Sequence, residues 1–81
     1  MNITVEFVSP LNGIAGADRT LVTLPEGCTL ARLIGALREQ FPDLFPAAER
    51  AIFVVNTTLA RPDTVLRDGE RVLMMQVVGV G

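Results

Sequence analysis

The sequence predicts a small α+β domain in which a single helix crosses one face of a mixed β-sheet. With 81 residues the chain can bury one modest core and no more. Apolar residues alternate with polar ones near both ends, as in strands with one buried face, and recur at helical spacing in between. Hydrophobic residues make up 49% and charged residues 20%, the composition of a globular domain that folds by itself.

The first two predicted elements are strands. Ile3, Val5 and Phe7 alternate with polar residues, so the first strand has one face on the core and one in water. Turn residues follow, and residues 19–24 then predict a second strand, joined to the first as a hairpin with a long loop.

A single helix is predicted after Thr29, which has a side chain suited to an N-cap. Apolar residues follow at i, i+3, i+4, i+7 and i+11, and Pro42 ends the helix. This stripe makes Leu33, Ile34 and Leu37 predicted core residues. A single further turn is expected at residues 46–49.

Three more segments predict strands of unequal strength. Residues 51–55 form a continuous apolar run typical of a strand buried on both faces. A turn at residues 56–58 leads to residues 59–65, which Pro62 limits to a short edge strand at most. Asp68 and Gly69 then form a strong turn signal before the last long strand, residues 71–78.

This order of elements predicts the β-grasp, or ubiquitin-like, architecture. A helix with one apolar stripe covers one face of the sheet and leaves the other open to water or to a partner. The first and last strands should lie side by side and parallel in the middle of the sheet. We expect a single domain spanning residues 1–81, with residues 79–81 as a flexible C-terminal tail.

Composition and charge exclude several classes of function. The net charge is −2, so the chain lacks the basic face that binds phosphates, and no nucleic acid partner is expected. The sequence has no histidine and one cysteine, which removes the usual metal ligands and the most common general base. No stretch approaches the ~20 apolar residues of a membrane span, and the single Cys28 fits a reducing compartment, so we expect a cytoplasmic protein.

The last predicted strand carries apolar residues on both faces. If its even-numbered residues face the helix, then Leu73, Met75 and Val77 point to the face where the first strand shows Thr4 and Glu6. An apolar row on an uncovered face indicates a partner. A loop that covers the row, or a curled strand, is the alternative.

The C-terminal half also contains a recognisable pattern. It consists of Val-Asn-Thr-Thr-Leu at residues 55–59, Leu-Arg-Asp-Gly-Glu-Arg-Val at residues 66–72, and a strand that reaches a terminal glycine. This half resembles the small sulfur-carrier proteins, which include the small subunit of molybdopterin synthase and the thiamine-thiazole carrier. The N-terminal strand, the helix ending in Phe41 and Pro42, and the total length agree best with the molybdopterin synthase small subunit.

The resemblance implies a carrier cycle for molybdenum cofactor synthesis. An ATP-dependent activating enzyme would adenylate the carboxylate of Gly81, and a sulfur donor would convert it to a thiocarboxylate. The large subunit of molybdopterin synthase would then receive the tail and pass the sulfur to a pterin precursor. The chain itself would bind no cofactor, and catalysis would belong to its partners. The residues implied in partner binding are Leu73, Met75, Val77, Val78, Gly79 and Val80.

The sequence departs from this family at Val80, where the usual residue is a second glycine, and in the missing prolines before the tail. A β-branched side chain stiffens the backbone where a narrow channel must accept it. Three alternatives therefore stay open. They are a carrier for another pathway, such as thiazole, cysteine or tungsten cofactor synthesis, a non-activated β-grasp binding subunit, and a protein-conjugation module like ubiquitin.

Overall fold

The computed structural model describes residues 1–45 and 50–77 of the chain. Within these residues one sheet contains β1 (Asn2–Phe7), β2 (Arg19–Thr23), β3 (Ala51–Val55), β4 (Thr58–Leu59) and β5 (Arg71–Gln76). The helices are α1 (Leu11–Ala15) and α2 (Leu30–Gln40), followed by a 3₁₀ turn at Pro42–Leu44.

The strand order is β2-β1-β5-β3-β4, and it confirms the predicted β-grasp fold. The two central strands, β1 and β5, are parallel, with Val5 opposite Val72. The other pairings are antiparallel. The first and last strands of the chain thus form the middle of the sheet, as the order of elements predicted.

Helix α2 begins where the sequence predicts, although its N-terminus is capped differently. Thr29 has extended backbone geometry but makes no side-chain capping bond. Instead the N–H groups of Leu30 and Ala31 donate to the carbonyl oxygens of Thr64 and Pro62, at 2.9 and 3.0 Å. The loop after β4 therefore satisfies backbone donors that a helix start leaves without an intrahelical partner.

The core lies between the sheet and α2. Leu33 and Leu37 are fully buried, as predicted, whereas Ile34 is only half-buried at the margin of the helix stripe. The helical period places Leu33 and Leu37 almost in line along the helix, whereas Ile34 lies to one side of that line. The buried side chains among the described residues are Ile3, Val5, Phe7, Leu11, Val22, Leu24, Leu30, Leu33, Leu37, Leu44, Phe53, Val55, Leu66, Val72 and Met74.

The connection between β1 and β2 differs from the long loop expected there. It contains α1, whose first residue, Leu11, is fully buried in the core. The helix ends at Gly16, which has a φ of 74° and donates its N–H to the oxygen of Asn12. Burial of Leu11 and the left-handed glycine at the C-terminus both stabilise this short helix.

Three further expectations need correction. β3 is not buried on both faces, because Ile52 and Val54 are half-buried on the side away from the core. The weak strand predicted at residues 59–65 is only the two-residue β4, at the edge of the sheet. β5 ends at Gln76, short of the predicted residue 78. The turn expected at residues 46–49 lies outside the described residues, and a turn forms earlier, around the buried Leu44.

Candidate functional site: the open face of the sheet

The sheet has one face packed on the core and one facing away from it, which we call the open face. Along β1 the odd-numbered residues are buried, so Thr4 and Glu6 lie on the open face. Along β5 the even-numbered neighbours are buried, so Leu73 and Met75 lie on that same face, where both are half-buried. Within the described residues Leu11 of α1 and three leucines of α2 are buried in the core, together with the inward-facing side chains of the sheet.

The strand register extends this row across three strands. Val54 lies opposite Leu73, and Ile52 lies opposite Met75. Leu59 on β4 lies opposite Val54 and is 60% exposed. These residues form a continuous surface that we call the apolar patch: Ile52, Val54, Leu59, Leu73 and Met75.

Sequence reasoning found the β5 members of the patch and missed the other three. The apolar run at residues 51–55 predicts a strand buried on both faces, and such a strand has no side chains on an uncovered face. The signal that could have found them is pairing, because an antiparallel neighbour of β5 must place every second side chain on the same face.

An ion pair lies on the β1 side of the patch. Glu6 is opposite Leu73, and its Oε1 lies 3.2 Å from the Nε of Arg71. Arg71 is largely exposed, so water screens the attraction and the pair adds little to stability. Two opposite charges beside an apolar surface would instead restrict the orientation of a protein that docked there.

The turn between β3 and β4 borders the same region. Asn56 and Thr57 have φ values of 51° and 62°, the left-handed geometry of a type I′ hairpin turn. The Nδ2 of Asn56 donates to Oε2 of Glu70 at 2.8 Å. Asn56 thus acts as a turn residue, and the turn fixes the position of Leu59 within the patch. A shallow depression at this border is lined by Glu6, Val54, Asn56, Thr57, Arg71 and Leu73.

Strand β5 ends directly beyond the apolar patch. Met75 is the last open-face residue of β5, and Val77 follows the strand with 48% exposure. The remaining predicted site residues, Val78, Gly79, Val80 and Gly81, lie outside the described residues. A protein that covered Met75 would therefore meet the chain where it continues towards Gly81.

The described residues contain neither a cluster of metal ligands nor a membrane-spanning helix. In residues 1–45 and 50–77 no group of three or more His, Cys, Asp or Glu side chains is placed to hold a metal ion. No helix in the same residues is long and apolar enough to cross a membrane. Cys28 is half-buried and has a free thiol.

Comparison with known proteins identifies the family. The ThiS family model matches residues 5–81, and no curated protein matches the sequence. Three solved structures with similar folds are SAMP1 from Haloferax volcanii, a putative molybdopterin converting factor subunit 1 from Pyrococcus furiosus, and a complex of subunits 1 and 2 of the molybdopterin-converting factor from Helicobacter pylori.

The first of these structures has a TM-score of 0.90 at 16% identity and full coverage of both chains. The second has a TM-score of 0.87 at 21% identity, covering 96% of this chain and 99% of the other. The third has a TM-score of 0.74 at 21% identity, again with full coverage of both. At these identities the structures show a shared fold, and the family match extends to the last residue. The chain belongs to the ThiS family and, with it, to the ubiquitin-like sulfur carriers.

Proposed function

We propose that this chain carries sulfur as a thiocarboxylate on Gly81 and delivers it in molybdopterin synthesis. The observation that carries the proposal is the family match, which reaches residue 81 and so includes the terminal glycine. The position of the apolar patch supports it, because the patch lies where a receiving protein would also contact the start of the tail.

The chemistry requires activation because a carboxylate is a poor electrophile. The carboxylate oxygen of Gly81 attacks the α-phosphate of ATP, which forms an acyl-adenylate and releases pyrophosphate. A hydrosulfide-level sulfur donor then attacks the carbonyl carbon. The new C–S bond replaces the C–O bond to AMP, and AMP departs with that oxygen. This chain supplies the reacting carboxylate, and its partners supply the catalytic groups and bind the ATP.

The proposed receiving partner is the large subunit of molybdopterin synthase. It would cover the apolar patch and accept the tail. The thiocarboxylate sulfur would bond to the pterin precursor, and water would then hydrolyse the acyl–sulfur bond, which leaves the sulfur on the pterin and regenerates the carboxylate. The Helicobacter pylori protein is described as a complex of subunits 1 and 2, and we extend that kind of assembly to this chain. Since ATP and the pterin precursor are intracellular, the cycle would take place in the cytoplasm.

Intact-mass measurement tests this function. The purified chain is incubated with ATP, a sulfide source and each activating enzyme of the same cell. We expect one oxygen-to-sulfur exchange, which should be lost when Gly81 is deleted. Addition of the large subunit and the pterin precursor should then reverse the shift and yield molybdopterin. Sulfuration without transfer to the pterin would assign the carrier to another pathway, such as thiazole synthesis.

A second candidate function follows from Val80. If the valine blocks activation, the chain is a binding subunit that uses only the apolar patch. The same experiment separates the two functions, because such a subunit would show no mass change with any activating enzyme yet still bind a larger protein through the patch.

A further inference from the structure

Strand β2 lies at an outer edge of the sheet and has no neighbouring strand on its outer side within the described residues. Met1 and Phe7 pair with Leu24 and Asp18 through backbone hydrogen bonds of 2.9 and 2.8 Å. Because hydrogen-bonded and non-hydrogen-bonded pairs alternate in an antiparallel ladder, every second residue of β2 directs its N–H and C=O away from β1. These residues are Arg19, Leu21 and Thr23.

This edge has few of the features that usually prevent strands from pairing between molecules. β2 contains no proline, its ladder with β1 is continuous, and its one charged residue, Arg19, stands at the start of the strand, away from Val22. Leu21 is 60% exposed on the open face, at a position separate from the apolar patch. Such an edge favours addition of a further strand.

Helix α2 runs beside β2 in the opposite direction. The Nε2 of Gln40 donates to Oγ1 of Thr20 at 3.2 Å, which places the end of the helix beside the start of the strand. At the other end, Ala31 and Arg32 line a groove together with Thr23 and residues 24–25. The middle of α2 therefore lies beside the middle of β2, near Val22.

The exposed side of α2 along this groove carries complementary charges. Arg32 and Glu39 both line the groove, are exposed, and take part in no ion pair among the described residues. Gly35 lies between them, with open space where a Cβ would be. The two opposite charges are placed nearly symmetrically about the middle of the helix.

We propose that this edge binds a second copy of the same chain, through antiparallel pairing of the two β2 strands about a two-fold axis at Val22. Leu21 of each copy then pairs with Thr23 of the second copy, and each pair exchanges two backbone hydrogen bonds. The two Leu21 side chains lie diagonally across the axis, within reach of each other. The same axis directs Arg32 of one copy towards Glu39 of the other, so the surface is self-complementary, as a two-fold interface requires.

A dimer of this kind leaves the apolar patch accessible. The patch is centred on β3, β5 and β4, whereas the pairing edge is β2, on the far side of β1. Each copy could therefore bind another protein through its patch while the two β2 strands stay paired, and the dimer does not depend on the proposed sulfur chemistry.

Reversing the charge of Arg32 or Glu39 tests the proposed dimer geometry, and sedimentation equilibrium measures the association. The parent should dimerise with increasing concentration, and Arg32→Glu and Glu39→Arg should each weaken the dimer about tenfold, because each places like charges together at both ends of the interface. An equimolar mixture of the two variants should restore dimerisation as a mixed dimer, because every contact then joins opposite charges. Arg67→Glu, an exposed change of the same net charge elsewhere, should leave the dimer unchanged.

Amide hydrogen exchange gives an independent measurement. The N–H groups of Leu21 and Thr23 should exchange more slowly at high than at low protein concentration, while those of Thr20 and Val22, already bonded to β1, should change little. A parent that stays monomeric, a mixture no better than either variant alone, or a dimer without slower exchange at Leu21 and Thr23 would overturn the proposal.

Discussion

Leu37 illustrates how one side chain supports the fold. It is fully buried between α2 and the sheet. Leu37→Ala should lower the free energy of unfolding by about 2 to 5 kcal/mol, because it removes buried methyl groups and leaves a cavity. Chemical denaturation measures the change. Leu59→Ala is the matched control, since Leu59 is exposed and its truncation should have little effect. Equal effects of the two substitutions would show that α2 does not direct Leu37 into the core.

We expect Val80 to limit how efficiently the proposed carrier is activated. Its β-branched side chain restricts the backbone beside the reacting carboxylate. Val80→Gly would give the usual pair of terminal glycines and should raise the rate of the oxygen-to-sulfur mass shift with the activating enzyme. Val80→Ile, which keeps the branch, should leave that rate near the parent value. Equal rates for the parent and Val80→Gly would mean that the activating enzyme accommodates valine.

At the scale of elements, the apolar patch should be important for association and unimportant for folding. Met75→Glu places a charge on a half-buried open-face position, where it loses little packing. In a complex the same charge would be buried without a partner, so affinity for the large subunit should fall strongly. Calorimetry measures the affinity, and thermal unfolding tests the fold.

Val65→Glu is the matched control for the patch. Val65 is an exposed apolar residue that pairs with Thr29 beside the start of α2, outside the patch. This substitution should leave the affinity unchanged. Unfolding of the Met75→Glu variant, or undiminished binding by it, would contradict the role given to the patch.

Elements with a regular period were predictable from the sequence, and those formed by tertiary contacts were not. β1 and α2 follow directly from alternation and from the apolar stripe. α1 contains asparagine and glycine, has too few residues for a stripe, and forms because Leu11 has a place in the core. The N-terminus of α2 depends on carbonyl groups more than thirty residues away in sequence, around Thr64, which no local pattern contains.

The candidate site was predictable where it depended on one strand and not where it depended on pairing. Alternation along β5 was enough to place Leu73 and Met75 on the open face. Leu59 joins them only because the left-handed turn at Asn56 returns the chain beside Val54, which requires the register of two strands. A single sequence contains the strands but does not specify which residues of neighbouring strands lie opposite each other.

At the scale of the whole molecule, the folded body and the reacting end of the proposed carrier are separate in sequence. Among the described residues the fully buried side chains extend from Ile3 to Met74, and β5 ends at Gln76. We therefore expect residues 78–81 to be dispensable for the core, whereas the proposed chemistry depends entirely on Gly81. Such a separation suits a carrier, because the same folded body must present its end to several proteins in turn.

A chain that ends at Val77 tests this separation. Its free energy of unfolding should match that of the parent to within about 0.5 kcal/mol, since surface changes away from the core have effects of that size. It should show no oxygen-to-sulfur exchange with ATP, a sulfide source and the activating enzyme, and should bind the large subunit through the patch alone, with lower affinity. Loss of stability in the shortened chain would mean that residues 78–81 pack on the body, and the tail would then have to detach before each encounter with a partner.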